Sequence, residues 1–277
     1  MRKWQQVVVG GAVVALLTGG GVALAAGGGG VVRTQAVDPH AKAAPAAAVD
    51  TAQESKYTPI SPCRIADTRK KGGAIAAGTT RPFFVSGTTG FAPQGGKSGG
   101  CGIPAAASAV QVTITAVGAT GNGFLKAYPY GASTPNATFL NFTRSFNVSG
   151  AGSVKLCSGS CSRDMRIANY GRSTNAVIDV QGYYIPPIFA YVSYSGTLEA
   201  HSRASGVTRT DVGVYQVSFD RDVSRCAWNV TPSGSFSSAN TGPVNGAGHV
   251  AFVQIIDGSS GASPVSHDSN FYISVTC

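Results

Sequence analysis

Several groups of residues in this 277-residue chain have types and spacings that suggest chemistry. Gly96-Lys97-Ser98-Gly99-Gly100 matches G-x-S-x-G, the turn that presents a nucleophilic serine between a buried strand and a helix. Here the run lies in a Gly-rich loop followed by Cys101 and Pro104, so the match is coincidental. The same run reads Gly-Lys-Ser, but a phosphate-binding loop needs its first glycine where Phe91 stands. His40, His201, His249 and His267 are the imidazoles, and Asp268 is beside His267. Hydrolysis needs a nucleophile and an oriented base. Serine and aspartate are common enough here that a triad can always be drawn, which proves little. Twelve acidic residues leave few pairs for a glycosidase. Asp220-Arg221-Asp222 offers carboxylates to Ca²⁺, but a full site takes six or more oxygens and a turn explains the run better. The reading is therefore non-enzymatic: no catalytic residue, no cofactor and no metal.

Binding is the better prospect. Tyr128-Pro129-Tyr130 and Tyr183-Tyr184 place aromatic rings near strand ends, where they can stack on sugar rings or anchor an interface. The competing reading is core or edge packing. Asp67 and Arg69 put an acid and a base close together, and a structural pair at a strand end accounts for them. Asp179, between apolar neighbours, is expected on an outer face or in an ion pair. Asn136, Asn141, Asn147 and Asn229 begin N-x-S/T sequons, which arise by chance in a sequence this rich in Ser and Thr.

These residues need a scaffold, and the composition says which kind. Charged residues are 12% of the chain, against about 25% in an average soluble protein. Gly, Ser, Thr and Ala replace them, as is common in exported β proteins. Arg2 and Lys3, the apolar run Val7 to Leu17 and Ala23-Leu24-Ala25 form a signal peptide over 1–25. Val7 to Ala26 is also just long enough for an uncleaved anchor, but its glycines make it a poor one. Cleavage leaves 19 basic and 12 acidic side chains, changing the net charge from +9 to +7. That mild basicity suits an acidic surface polymer or simple solubility. Without a dense Lys/Arg run it gives no nucleic-acid footprint. No later segment would make a stable membrane span. Residues 26–57, Gly-rich then Ala/Pro-rich, read as a flexible linker.

From 58 to 186 the pattern has the period of β-strands. Val110, Val112, Ile114 and Ala116 alternate with Gln111, Thr113 and Thr115, and Ala176, Ile178, Val180 and Gly182 alternate with Val177, Asp179 and Gln181. Eight strands are expected here: Pro59–Ala66, Arg81–Ser86, Ala107–Val117, Phe124–Tyr128, Thr138–Phe142, Ser153–Cys157, Met165–Ala168 and Ala176–Tyr184. Pro62-Cys63-Arg64, Asp67-Thr68-Arg69, Cys101-Gly102-Ile103-Pro104 and Asp179-Val180-Gln181-Gly182-Tyr183-Tyr184 resemble a repeated module of secreted, notably actinobacterial, proteins. The resemblance implies an extracellular β domain and carries no assigned activity. After Pro186-Pro187 the strand pattern restarts for a smaller module, 187–277. Tyr215, Val217 and Phe219 share one face, as do Cys226, Trp228 and Val230. Val250 to Ile256 is nearly all apolar, as in a central buried strand, and Phe271, Ile273, Val275 and Cys277 alternate. Val207-Thr208-Arg209, Gly213 to Asp220, Cys226-Ala227-Trp228 and Val275-Thr276-Cys277 are similar to C-terminal modules of other such secreted proteins.

Six cysteines in an exported chain default to disulfides. Cys226 and Cys277 are alone in the second module, Cys157 and Cys161 bracket a tight turn, and Cys63 is left for Cys101. Metal binding is a poor rival, since Cys157-x-x-x-Cys161 has no second ligand pair. The expectation is an all-β protein: two consecutive β-sandwich or jelly-roll-like domains after a signal peptide and a disordered linker. It is secreted and binds a cell-wall or surface glycan or another secreted protein. A structural component of an extracellular or envelope assembly is the first alternative, and a hydrolase is the second.

Overall fold

The computed structural model describes residues 6–9, 12–15, 54–234, 237–258 and 265–277. The expected cleavage site at Ala23-Leu24-Ala25 and the linker as far as Gln53 lie outside these residues. Two units are distinguished, Met1–Val49 and Asp50–Cys277. In the first, β1 (Gln6–Val9) pairs antiparallel with β2 (Ala12–Ala15). Among the described residues no helix is long and apolar enough to cross a membrane.

The second unit is all β and contains two hydrophobic cores. The first core lies in the segment made of β3 (Lys56–Asp67), β4 (Thr80–Phe83), a 3-10 turn (Ala92–Gln94), β5 (Ala109–Val117), β6 (Gly123–Pro129), β7 (Leu140–Phe142), β8 (Val148–Lys155), β9 (Met165–Gly171) and β10 (Asn175–Ile185). One sheet runs β3-β10-β5-β8 and the other β4-β9-β6-β7. Val110, Val112, Ile114 and Ala116 of β5 are fully buried, as alternation predicts, and meet Leu125, Met165 and Ile167 of the other sheet. β8 begins five residues before the expected Ser153. Gly150 and Gly152 mimic turn sequence there, but both lie under Phe139, and at Gly150 an added Cβ would sit 3.0 Å from Leu140 Cβ.

The alternation in β10 breaks once. Pairing with both neighbours shifts between Val180 and Gly182, and this bulge moves Gln181 out of step. Tyr183 then pairs opposite Val110 on the core side, and Gly182 falls opposite Gln111 on the outer side. Gly182 is buried, as the alternation predicts, but on the outer side rather than in the core. It is glycine because the Tyr57 ring lies over it, 2.4 Å from where a Cβ would be. β3 is an edge strand whose last residues are covered by the loop after the 3-10 turn, through Lys97 N–H to Arg64 O and an Ala66–Gly95 bridge. Its earlier part contains Pro59 and Pro62, which have no amide hydrogen.

The second core lies among β11 (Ile188–Val192), β12 (Leu198–Ser202), β13 (Ala204–Asp211), β14 (Val214–Phe219), β15 (Ala227–Pro232), β16 (Ser237–Val244), β17 (Ala247–Asp257), β18 (Val265–Ser266) and β19 (Phe271–Thr276). The sheets run β12-β11-β19-β15 and β13-β14-β17-β16, with β18 on β17. Tyr215, Val217, Phe219, Phe271, Ile273 and Val275 enter the core. β17 is central by pairing, but only one of its faces is closed. Ala251, Val253 and Ile255 are buried, whereas Phe252, Gln254 and Ile256 are half-buried, so it is not the doubly covered strand its composition suggests.

Disulfides join Cys63 to Cys101, Cys157 to Cys161 and Cys226 to Cys277. Cys226 and Cys277 sit just beyond the ends of β15 and β19 rather than within them, continuing the pairing of Ala227 with Thr276. Their Cα atoms are 4.5 Å apart.

Candidate binding face

Alternation in β6 directs Leu125 and Ala127 to the core and Phe124, Lys126 and Tyr128 outward. Register with β9 sets Tyr170 opposite Phe124, Ala168 opposite Lys126 and Arg166 opposite Tyr128. The Phe124 and Tyr170 rings stack with centroids 5.0 Å apart and planes 10° from parallel. Tyr170 is 37% exposed. The Lys126 ammonium is 5.2 Å from the Tyr170 ring centre and 5.9 Å from that of Phe124, a cation–π arrangement. It also donates to the Pro135 carbonyl at 2.7 Å, which fixes its position.

A hollow of about 410 Å³ opens at the β7 end of the sheet, between it and β8, lined by Asn122, Gly123, Asn141, Phe142, Thr143 and Val148 and by neither ring. Asn141 pairs across from Phe124, and Thr143 donates to Asn122 Oδ1 at 2.8 Å. Gly123 has to be glycine here, since a Cβ would meet Phe142 and the Tyr170 carbonyl at 2.4 Å. Two flat rings, a fixed cation and the Asn141 amide in register with Phe124 thus share one outward surface. Such a surface can stack on the apolar face of a sugar and hydrogen-bond its hydroxyls.

The four tyrosines singled out from sequence do not assemble into a site. Tyr128 is only 4% exposed. It points outward, but its hydroxyl lies 3.1 Å from Thr134 Oγ1 in the β6–β7 loop, which covers it, so it has no free face to stack on. The Arg166 guanidinium lies 4.4 Å over the Tyr130 ring. Hydrogen bonds with Ser162 and Arg166 draw the Tyr130 phenol below its usual pKa. Tyr183 packs against the first core. Tyr184 belongs to the other sheet, where its ring meets Tyr57 at 5.1 Å and its hydroxyl accepts from Ser153 at 3.1 Å. Phe124 and Tyr170, missed from sequence, are 46 positions apart. The available signal was the shared parity of Phe124, Lys126 and Tyr128, and only the β6–β9 register adds Tyr170.

The Asp67-Thr68-Arg69 motif is structural. Arg69 donates to both Asp67 oxygens at 2.8 and 2.7 Å, and Arg64 grips Asp179 at 2.9 and 3.0 Å. Asp67 is fully buried, and the Arg69 guanidinium, followed by its backbone N–H, holds the carboxyl below its ordinary pKa. Thr68 Oγ1 accepts from Ala176 N–H and donates to Asn175 Oδ1, tying β3 to β10. The Gly96 of the G-x-S-x-G match passes so close to β3 that a Cβ would fall 2.1 Å from Ile65 O. Asp220 bonds Arg203, and Asp222 accepts from Ser224, so the expected turn consumes both carboxylates. Among the described residues no group of three His, Cys, Asp or Glu is arranged to hold a metal.

His201 lies on β12, His249 on β17 and His267 just after β18. His267 Nε2 is 3.1 Å from Ser237 Oγ, while its buried Nδ1 has no partner. The adjacent Asp268 accepts from Arg209, Gly213 N–H and the Tyr215 hydroxyl instead. Arg209 first, with Gly213 N–H assisting, holds Asp268 well below the usual carboxylate range. Burial, then Asp268, pushes the Tyr215 phenol up to about 12. A serine and an imidazole meet, but the acid that would orient the base is bound elsewhere.

A second ring pair stands on sheet β12-β11-β19-β15. Tyr191 and Tyr272 stack at 4.4 Å and 21°, and Tyr272 is 55% exposed. Thr231 is in register with Tyr272, Ser274 lies between Phe189 and Asn229, and Asn270 Nδ2 donates to Tyr191 Oη at 3.1 Å. Comparison with family models, curated proteins and solved structures gave no match.

Proposed function

We propose that this chain is a secreted, non-enzymatic surface-interaction protein that binds carbohydrate of a cell wall or cell surface. The observation that carries the reading is the outward-facing Phe124–Tyr170 stack, with Lys126 over both rings and Asn141 in register with Phe124. Three disulfides suit an oxidising compartment, and the signal-like N-terminus suits export. The two cores fit two modules joined at Pro186-Pro187. The non-enzymatic reading rests on Asp268 being bonded to Arg209 rather than to His267.

The test is a pull-down of the chain from Ala26 onward on isolated bacterial cell wall, with a glycan array alongside. Saturable binding that falls at least tenfold in F124A/Y170A is expected. Binding that is indifferent to the double substitution removes this face, and absence of binding to every surface favours a role in assembly.

A further inference from the structure

Charge is divided unevenly along the chain. Residues 54–186 carry 13 Lys and Arg against four acids, whereas residues 187–277 carry four against six. Three of the four acids in the first segment are consumed internally. Asp67 is held by Arg69, Asp179 by Arg64, and Asp164 by the Val85 and Ser86 amides and the Ser86 hydroxyl. Among the described residues no carboxylate pairs with Lys126, Arg163, Arg166 or Arg172. Three of them rest on rings or carbonyls instead. Lys126 lies by Phe124 and Tyr170, Arg166 over Tyr130, and Arg163 over Phe84 at 4.0 Å.

We propose that the Phe124–Tyr170 face takes an acidic polysaccharide, a polymer with carboxylates along a sugar backbone. Sugar faces stack on the rings, and carboxylates meet Lys126 and Arg166. The proposal rests on the glycan-binding reading above and narrows it to one substrate class. The β6–β9 register spaces the features as rungs: Phe124 with Tyr170, then Lys126 with Ala168, then Tyr128 with Arg166. Successive outward rungs are about 7 Å apart at strand rise, so the ring pair, Lys126 and Arg166 follow one another along the strands, with the β6–β7 loop covering Tyr128 on the last rung. A docked neutral polymer strips water from the Lys126 ammonium and returns only hydroxyl contacts. A carboxylate returns a charge-assisted bond. Single-stranded nucleic acid also pairs rings with cations, but the three disulfides favour an oxidising compartment and an extracellular polymer.

The test measures binding of the full disulfide-bonded chain to polygalacturonate, to its fully methyl-esterified form and to single-stranded DNA, at low and high salt. Polygalacturonate is expected to bind at least tenfold tighter than the ester, with affinity falling as salt rises. K126Q/R166Q is expected to bring acid and ester within about twofold of each other, and F124A/Y170A to weaken both at least tenfold. K70Q/K71Q, which removes two cations from the turn after β3, is expected to leave affinity within twofold. Thermal melting confirms that each variant is folded. Equal binding of acid and ester overturns the acidic-polymer proposal and keeps glycan binding. Binding of neither polymer, with cell-wall binding also absent, removes the glycan reading itself. Tighter binding of DNA than of polygalacturonate, or an equal loss in K70Q/K71Q, overturns the proposal in favour of nucleic acid or of diffuse charge.

Discussion

The two exposed ring pairs, Phe124–Tyr170 and Tyr191–Tyr272, occupy similar settings. Each stands on the solvent side of an antiparallel sheet, and each joins residues from neighbouring strands. Their surroundings differ. The first is set among cations that no carboxylate pairs, in a segment with nine more basic than acidic residues, the second among Thr231, Ser274 and Asn270 in a segment with two more acids than bases. Stacked rings supply flat apolar area in both places, so under the proposed function the neighbouring charge is what would separate the two faces. The whole-chain value of +9 averages this contrast away.

The ends of the cores differ as well, and here the largest effects are expected. The first is closed by the buried Asp67 carboxylate and the Cys63–Cys101 bond, the second by Cys226–Cys277 at the ends of β15 and β19. Replacing Cys226 and Cys277 with Ala is expected to cost about 4 kcal/mol in chemical denaturation, and replacing Cys157 and Cys161 about 2, because the loops closed are so different in length. Equal losses for the two pairs would break the account of β19 as tied in by its bond. Arg69→Ala comes next, at about 3 kcal/mol, since it leaves a fully buried carboxylate only the backbone N–H of residue 69 and a 3.5 Å contact with Arg64. Asp67→Ala is expected to cost less, because Arg69 and Arg64 are both 40% exposed or more and water can take them over.

Binding tests the surfaces directly. Y191A/Y272A should change affinity for acidic polysaccharide less than twofold, against a tenfold loss, about 1.4 kcal/mol, for F124A/Y170A. Matching losses on an array would erase the distinction between the faces. The smallest effect is in acid. Asp67 and Asp268 both have folded pKa values below the unfolded one. Each contributes stability that is fully present above about pH 4 and is lost as pH falls through its folded value. Asp268 is depressed further, so its contribution persists to lower pH. Amide exchange between pH 5 and pH 2 should show the first core loosening before the second, and Asp268→Asn should remove the second core's advantage.

Sequence carried the strands of the first core because each faces the core on one side and water on the other, which leaves a period of two. It failed where another element altered that balance. Gly150 and Gly152 look like a turn until Phe139 lies on them, and the bulge at Gln181 exchanges the faces of Gly182 and Tyr183. The binding face was half legible. Phe124 and Lys126 share a parity visible in the sequence, but Tyr170 reaches them only through strand register. Tyr128, chosen for being aromatic at a strand end, is hidden by a loop whose fold no local pattern announces. The role of Asp67 was readable from its neighbour Arg69, whereas its full burial was not.

The early part of β3 has a consequence for crowding. An open sheet edge is a template on which another chain can pair. Pro59 and Pro62 bring no amide hydrogen to this edge strand, the place in a sheet where proline is tolerated and where it discourages further pairing. This one edge is thereby a poor seed for edge-to-edge assembly.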